Sequence, residues 1–579
     1  MNALASELRK QLGKAVLLAR EAAETGARKA LEALAVHEPE PYKHLSEEQR
    51  LLRRALRAQA RQLGDEESRT KKSAYDITHL KEKVAYDQWH RLLFARFLIE
   101  NNLLISPEHG VAVSLADCEE LAPSLGLRDG WTVAAWFAAV ELPEIFRADD
   151  PAGRIDLPVE DRKQLVQLVT GLPAEVFLAD DSLGWVYQFW QAKRKDEVNE
   201  SGTKIGADEL APVTQLFTED YMVLFLLHNT LGAWWAGKQK TDWKRCGTED
   251  DCRKLVALPG IEWTYLRFVK TDGSEWRPAA GTFVGWPKTA RELRVLDPCM
   301  GSGHFLVAEF PILVALRMAE EGLSKGGAVV AVLRDNLYGL EIDARCSQIA
   351  AFNLALAAWK LAGWQKLPPL NLACSGLAPR TKLETWTALA GENQRLRDGM
   401  ERLYELFQEG PTLGSLINPR KLGGDLLTAE FHELQPLLET ALAQETKDDT
   451  AHEMAVTARG LAKAAEILAG QFTLVATNVP YLGRGKQVDV LQNFCNENHP
   501  EAKADLSTCF VERCVHFTGL SSTIAVVTPQ NWLFLATYRS FRKELTRRRA
   551  WELVARLGPN AFQDMNWWHA TTALIVLSS

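Results

Sequence analysis

The stretch from Leu293 to Glu321 leaves the chain few ways to fold. LRVL runs straight into Asp297-Pro-Cys-Met-Gly-Ser-Gly303, and the long apolar segment HFLVAEFPILVALRMAEE follows. A short apolar strand, a glycine-bearing turn and a helix in immediate succession are the opening of a parallel α/β unit. Gly301 and Gly303 let the backbone turn sharply and approach a ligand closely, and the helix that follows offers its N-terminal N–H groups to a negative group. Asp297 ends the strand, where ligands bind in open α/β sheets. A bare G-x-G also marks an ordinary tight turn, and no third glycine completes a dinucleotide fingerprint.

The alternation continues. AVLRDNLYGLEID carries a second strand, Tyr338 to Leu340, followed by Glu341. A carboxylate at that position accepts hydrogen bonds from both hydroxyls of a nucleoside ribose. A surface helix cap is the plainer role for it. Glu341 lies 44 residues after Asp297, beyond the roughly 20 of a dinucleotide unit, and the longer helical crossover 305–336 accounts for the difference. Strand patterns return in FTLVATNVPYLGRG, TIAVVTPQNWLF, WELVARLGP and TTALIVL, with a largely helical insertion at 376–470. TIAVV predicts the last parallel strand, with LVARL and TALIVL as a closing hairpin-like pair.

Upstream, residues 1–205 read as a mostly helical domain. Leu8, Leu12, Val16 and Leu17 recur near the helical period. Arg50 to Gln62 reads as a solvated basic face. Tyr86 to Leu104 predicts a helix with Trp89, Leu92, Leu93, Phe97 and Leu98 in the core. Leu183 to Val198 predicts a buried aromatic anchor running into an exposed loop, and the polar, glycine-containing Asn199 to Asp208 suggests a boundary. Residues 206–579 then form a second domain that contains the insertion. Thr218 is a candidate N-cap for the apolar helix after it.

Charge and cysteine usage narrow the environment. A formal charge of -8 does not favour a polyanion partner in bulk, so any nucleic-acid surface must be a local basic patch. The 9 cysteines form no paired C-x-x-C, which fits reduced intracellular thiols and a cytoplasmic setting. Cys246 and Cys252 flank an acidic loop without a second Cys/His pair at zinc spacing, so no metal is expected. No apolar stretch approaches the roughly 18 to 20 residues of a membrane span, and no membrane partner is expected.

Asn478-Val-Pro-Tyr481 ends the strand FTLVAT at the same sheet edge. It presents an amide, a proline-fixed carbonyl and an aromatic face, the equipment for methylating an exocyclic amine. The lone pair of such an amine is delocalised into its ring, so the nitrogen is a poor nucleophile. Two acceptors, the Asn478 side-chain oxygen and a carbonyl near Pro480, favour a pyramidal nitrogen with its lone pair aimed at the donor. Tyr481 would stack on the base. No strong general base is required. An ordinary N-x-P loop after a strand is the alternative.

Together, in this order, these segments resemble the amino-type S-adenosylmethionine-dependent DNA methyltransferases. The resemblance implies a Rossmann-like, seven-stranded α/β sheet. Asp297, Pro298, Cys299, Gly301 and Gly303 look like the donor-binding loop, Glu341 like the ribose acid, and Asn478, Pro480 and Tyr481 like the catalytic tetrapeptide. Gln215 to Val223, with Phe217 and Thr218, looks like the segment that holds the donor's methionine end. LGWVYQFWQAKRKDEV, KADLSTCFVERC, VVTPQNWLF and ATTALIVL extend the likeness to the large adenine-specific methyltransferases of phage-defence systems, the BREX methylase and its DISARM relative. The resemblance implies N6-adenine methylation that marks host DNA as self, S-adenosylmethionine as cofactor, and double-stranded DNA with a flipped adenine as substrate. It also implies other phage-defence subunits as partners.

Two departures stand out. Val479 replaces the first proline of the usual tetrapeptide, which frees a backbone torsion. No acid follows the third strand near NLACSGL, and Asp425 lies inside the insertion. Related enzymes continue into a target-recognition region, and none is expected within these residues. Arg484 and Lys486, just past the catalytic turn, are the candidate phosphate contacts. The triplet Arg547 to Arg549 reads equally as a solvated helix end. His304 is expected to pack or to contact the helix start. Two other readings remain: a donor-binding, catalytically weak DNA-sensing or assembly subunit, and a protein glutamine methyltransferase.

Overall fold

The computed structural model describes residues 3–67, 74–143, 145–147, 149–239, 242–271, 275–422, 434, 436, 438, 448–558, 561–562 and 571–579. They form two compact units: 1–193 with 377–408 and 429–463, and 194–376 with 409–428 and 464–579.

The first unit is built on helices. Ser6–Ala33 packs on Thr78–Glu100, and Trp89, Leu92, Leu93, Phe97 and Leu98 are all buried as expected. On Ser6–Ala33 the buried stripe is Leu12, Val16, Ala19, Ala23 and Ala27, while Leu17 stays exposed. The basic run is not simply a solvated face. It lies on the helix Glu47–Leu63, which opens with a Ser46 capping box. From that helix Arg53 Nε donates to the Ala35 carbonyl (2.8 Å) and Arg57 Nη1 to the Val36 carbonyl (2.8 Å). These carbonyls belong to the turn that follows Ser6–Ala33, and a guanidinium fork satisfies several at once. Between the units in sequence, Ser182–Ser201 is one continuous helix where a loop was expected past the aromatics. The run AKRKDEVNES contains good helix formers and no glycine or proline, so nothing stops it before Gly202.

The second unit carries the sheet: β1 (Val295–Asp297), β2 (Leu337–Glu341), β3 (Asn371–Cys374), β4 (Phe472–Asn478), β5 (Thr518–Pro529), β6 (Ala550–Arg556) and β7 (Thr572–Ser578). Their spatial order is β3-β2-β1-β4-β5-β7-β6. This is the seven-stranded, mostly parallel sheet expected. The pairings from β3 through β5 are parallel, and β7 inserts antiparallel between β5 and β6. The central strands β1, β2 and β4 are largely apolar because both faces are covered, whereas the edge strand β6 (AWELVAR) keeps exposed positions along its length. Val295, Leu337, Leu474, Ala476 and Val527 share one core with Leu306, Phe310 and Leu313 of the helix His304–Glu321. A small antiparallel ribbon, Phe268–Lys270 with Trp276–Pro278, was not evident in the sequence.

This topology sets where chemistry can occur. Because β1, β2, β4 and β5 run the same way, Asp297, Glu341, Asn478 and Pro529 all emerge at one edge. The strand order reverses beside β1, which opens the crevice where α/β sheets bind ligands. Among the described residues, no helix is long and apolar enough to cross a membrane.

Candidate active site

The turn after β1 is held by its own side chains. Asp297 is only 1% exposed, and its Oδ1 accepts the Cys299 N–H (3.1 Å) and the Thr477 hydroxyl (2.6 Å). Glu341 Oε2 accepts the Gly301 N–H (2.9 Å), Oε1 accepts the Asp343 N–H (3.1 Å), and the Gly303 N–H reaches the Met300 carbonyl (2.8 Å). These three loop amides are thus consumed inside the turn and not offered to an anion. Gly301 and Gly303 sit at φ +52° and +84°. A Cβ on Gly303 would also lie 3.1 Å from Ala350, so this glycine serves the close approach of a neighbouring helix.

The electrostatics of the turn point to a cationic ligand. Asp297 is pushed up to about 7, first by burial and then by the charge of Glu341, against the pull of its two hydrogen bonds. Glu341 is likewise raised to about 7, by burial and then by Asp343. Among the described residues no lysine or arginine pairs with either. Two buried acids without a cation are costly, and a ligand bringing positive charge and hydroxyl donors relieves that cost.

Asn478, the last residue of β4, is fixed on both sides. Its Nδ2 donates to Thr218 Oγ1 (3.0 Å) and its Oδ1 accepts the Tyr481 hydroxyl (2.9 Å). Thr218 is therefore not the helix N-cap. Glu219 occupies the cap position of Asp220–Leu227 without a side-chain bond to the helix start, and the Thr218 hydroxyl instead accepts from Asn478. Val479 does not loosen the turn. Its N–H, which a proline lacks, donates to the Val527 carbonyl (3.3 Å) and extends the β4–β5 ladder. The Pro480 carbonyl accepts no protein hydrogen bond among the described residues. Burial, then the charge of Asp505, pushes the Tyr481 hydroxyl upward and keeps it protonated.

Both turns open into one cleft whose empty space, its open mouth included, is about 890 Å³. Asp297, Pro298, Cys299, Gly301 and Glu341 line one part of it, and Asn478 and Pro480 line another. Phe217 and Thr218 join them in the same cavity. Gly303 and Tyr481 stand outside its lining, each behind a residue it holds. His304 contributes to the wall with Nε2 2.9 Å from Asp220 Oδ1, a contact at the helix start. Of the two basic candidates, Lys486 is exposed, whereas Arg484 is half-buried with Nη1 enclosed by protein.

Sequence reasoning missed part of the wall. Thr412, Leu413, Gly414, Ser415 and Leu416 come from the insertion and line the cavity, as do Leu210, Thr214 and Phe510. Buried Arg513 fixes the insertion turn, donating to the carbonyls of Ser415 (3.0 Å), Ile417 (2.7 Å) and Leu468 (3.0 Å). The only local hint was the glycine- and proline-punctuated GPTLGSL, with Gly414 at φ +49°. Beyond β3, Ser375 takes the place where an acid was sought, and its hydroxyl bonds the Glu341 carbonyl (3.2 Å). Asp425 lies outside the described residues. Among the described residues there is no group of three or more His, Cys, Asp or Glu side chains placed to hold a metal.

Residues 335–562 match the family model of the Eco57I restriction-modification methylase. The chain is 26% identical over 546 residues to the adenine-specific methyltransferase PglX of Lacticaseibacillus casei (strain Zhang), covering 84% of this chain and 43% of that protein. It is 25% identical over 454 residues to the adenine-specific methyltransferase BrxX of Escherichia coli O9:H4 (strain HS), covering 73% of this chain and 35% of that protein. The chain thus spans less than half the length of these curated relatives. Among solved structures it is similar to the DrdV–DNA complex, with a TM-score of 0.46, 10% identity, and coverage of 99% of this chain and 42% of that one. It is also similar to the type IIL restriction-modification enzyme MmeI bound to DNA, with a TM-score of 0.42, 14% identity, and coverage of 96% and 57%.

Proposed function

We propose that this chain transfers a methyl group from S-adenosylmethionine to N6 of an adenine extruded from double-stranded DNA, as the modification activity of a bacterial phage-defence system. One observation carries the reading: two buried, uncompensated acids and a doubly anchored asparagine line the same cavity. The names of the relatives at 25% and 26% identity support adenine as the target, and the match to a restriction-modification methylase model supports a modification role.

The residues fit the donor. When bound, it supplies an electrophilic methyl group on a positively charged sulfur. Glu341 has acceptor capacity for ribose hydroxyls, and Asp297 shapes the turn and adds negative charge. On the substrate side, Asn478 Oδ1 and the Pro480 carbonyl accept the two N–H bonds of the amine and draw its lone pair out of conjugation. The Tyr481 hydroxyl donates to Asn478 Oδ1, so an entering amine shares or displaces that bond.

A tritiated donor incubated with unmethylated bacterial DNA tests the reading. Label in DNA supports it; label in protein alone favours the glutamine alternative; donor binding without transfer favours the sensing subunit.

Two further outcomes follow from the geometry. Thr218→Val removes the acceptor that orients the Asn478 amide, so kcat should fall about tenfold, the value of one hydrogen bond, with the donor KM moving less. Thr218→Ser should restore it. A loss confined to KM would place Thr218 in donor binding alone.

Donor affinity should also depend on pH. Ionised carboxylates are the better acceptors, and burial pushes both acids up to about 7. Affinity should therefore rise about tenfold per carboxylate between pH 6 and 8, with proton release on binding measurable by calorimetry in different buffers. The unfolded chain ionises these groups near their ordinary values. Without added donor the protein should therefore lose stability as pH rises from about 4 through 7, and the donor's stabilising effect should be largest above that window. A flat pH profile would separate the two acids from donor binding.

A further inference from the structure

β5, which pairs with β4 at Asn478↔Val527, ends two residues later at the edge that bears the site. It runs through one helical turn, Gln530–Leu533, and an exposed segment into the helix Arg539–Arg548. Phe534 and Leu535 at its tip are 55% and 52% exposed, although Trp532 just before them is buried. The tip is held in place: Arg542 Nη1 donates to the carbonyls of Trp532 (2.6 Å) and Leu535 (2.7 Å). Arg556 lies 4.5 Å from the Phe534 ring centroid, with its Nε bonded to Gln530 Oε1 (3.0 Å).

Exposed Arg539 and Lys543 follow, four residues apart and so on one helix face. Among the described residues neither has an acidic partner. Arg547 and Arg548, by contrast, are both paired with Glu544, at 2.8 and 2.5 Å. An acidic chain of net charge -8 therefore keeps unneutralised cations beside an exposed aromatic tip, on the segment that leaves the sheet edge bearing Asn478. Unpaired cations complement phosphates, and an exposed aromatic ring gives a base a surface to stack on.

We propose that the segment 530–543 is a contact surface for duplex DNA, with Arg539 and Lys543 on backbone phosphates and Phe534 and Leu535 against bases beside the extruded nucleotide. This rests on the DNA-methylation reading above and adds where the duplex is gripped.

The test uses the full chain and a fluorescent duplex of mixed sequence, followed by anisotropy at several salt concentrations, with donor affinity measured in parallel by calorimetry. The double variant Arg539→Ala/Lys543→Ala should raise the duplex Kd about tenfold. It should also flatten the slope of log affinity against log salt by about 2, since each phosphate contact contributes about 0.9. Phe534→Ala should raise Kd about fivefold with the slope unchanged, as loss of one stacked base predicts. Donor affinity and melting temperature should stay constant in all of them. Duplex affinity and slope retained in both variants would overturn the proposal and leave the methylation reading intact. Loss of poly-glutamate binding with duplex affinity retained would assign the surface to an acidic protein and overturn it too. A parent chain that binds donor but no duplex would sink both the surface and the reading on which it rests.

Discussion

Asn478→Ala is expected to abolish methyl transfer while donor affinity stays within about twofold of the parent. The side-chain oxygen is the acceptor placed where the amine must become pyramidal, and removing one such preorganised group costs about 10²- to 10³-fold in rate. The loss should be at the upper end here. The substitution also deletes the partner of Thr218 and Tyr481, two groups that hold the turn. The donor turn is built from β1 and β2, and the hydrogen bonds of Asp297 and Glu341 do not involve Asn478; the one link from Asn478 to the donor side is the bond to Thr218. Asn478→Asp keeps an acceptor oxygen but loses the N–H given to Thr218, so it should fall between the parent and the alanine variant. Calorimetry with the donor separates the two contributions. Affinity lost together with rate would show that the asparagine turn and the donor turn are one structure, not two sites.

Asp297→Ala should act in the opposite way, raising the donor dissociation constant about a hundredfold. Its carboxyl ties together the Cys299 N–H and the Thr477 hydroxyl, joining the donor turn to β4. Each hydrogen bond to a charged group contributes about 1.5 to 3 kcal/mol, and the truncation leaves both donors unpaired in a buried place. Relief of repulsion with Glu341 offsets part of this. Asp297→Asn keeps the shape and the acceptor oxygen while discarding the charge. Its affinity should therefore lose the pH dependence contributed by Asp297 before it loses magnitude. An unchanged dissociation constant in the alanine variant would remove Asp297 from the donor site.

Much of this architecture was legible because the determinants are local. A strand of three or four apolar residues ending in Asp297 and two glycines, or in Glu341, identifies its own position at a sheet edge, and the parallel pairing delivers those ends together. Asn478 was readable for the same reason. What resisted reading depends on contacts distant in sequence. Thr218 looked like a helix cap because its neighbours are cap-like, but its partner lies 260 residues away. Val479 looked like a loosened proline because its amide finds an acceptor only once β5 lies alongside. The insertion's contribution to the cavity wall is invisible in its composition, since it is placed by a buried arginine on another helix. Arg53 and Arg57 read as solvated for a similar reason, since the carbonyls they satisfy belong to the preceding turn.

The most direct check is the identity of the atom that receives the methyl group. The full chain would be incubated with unmethylated bacterial DNA and a donor carrying a trideuteriomethyl group, and the digested nucleosides would be resolved by mass spectrometry. The expected product is deoxyadenosine labelled at N6, absent with Asn478→Ala. Label found instead on cytosine, or confined to protein while the donor binds normally, would contradict the account.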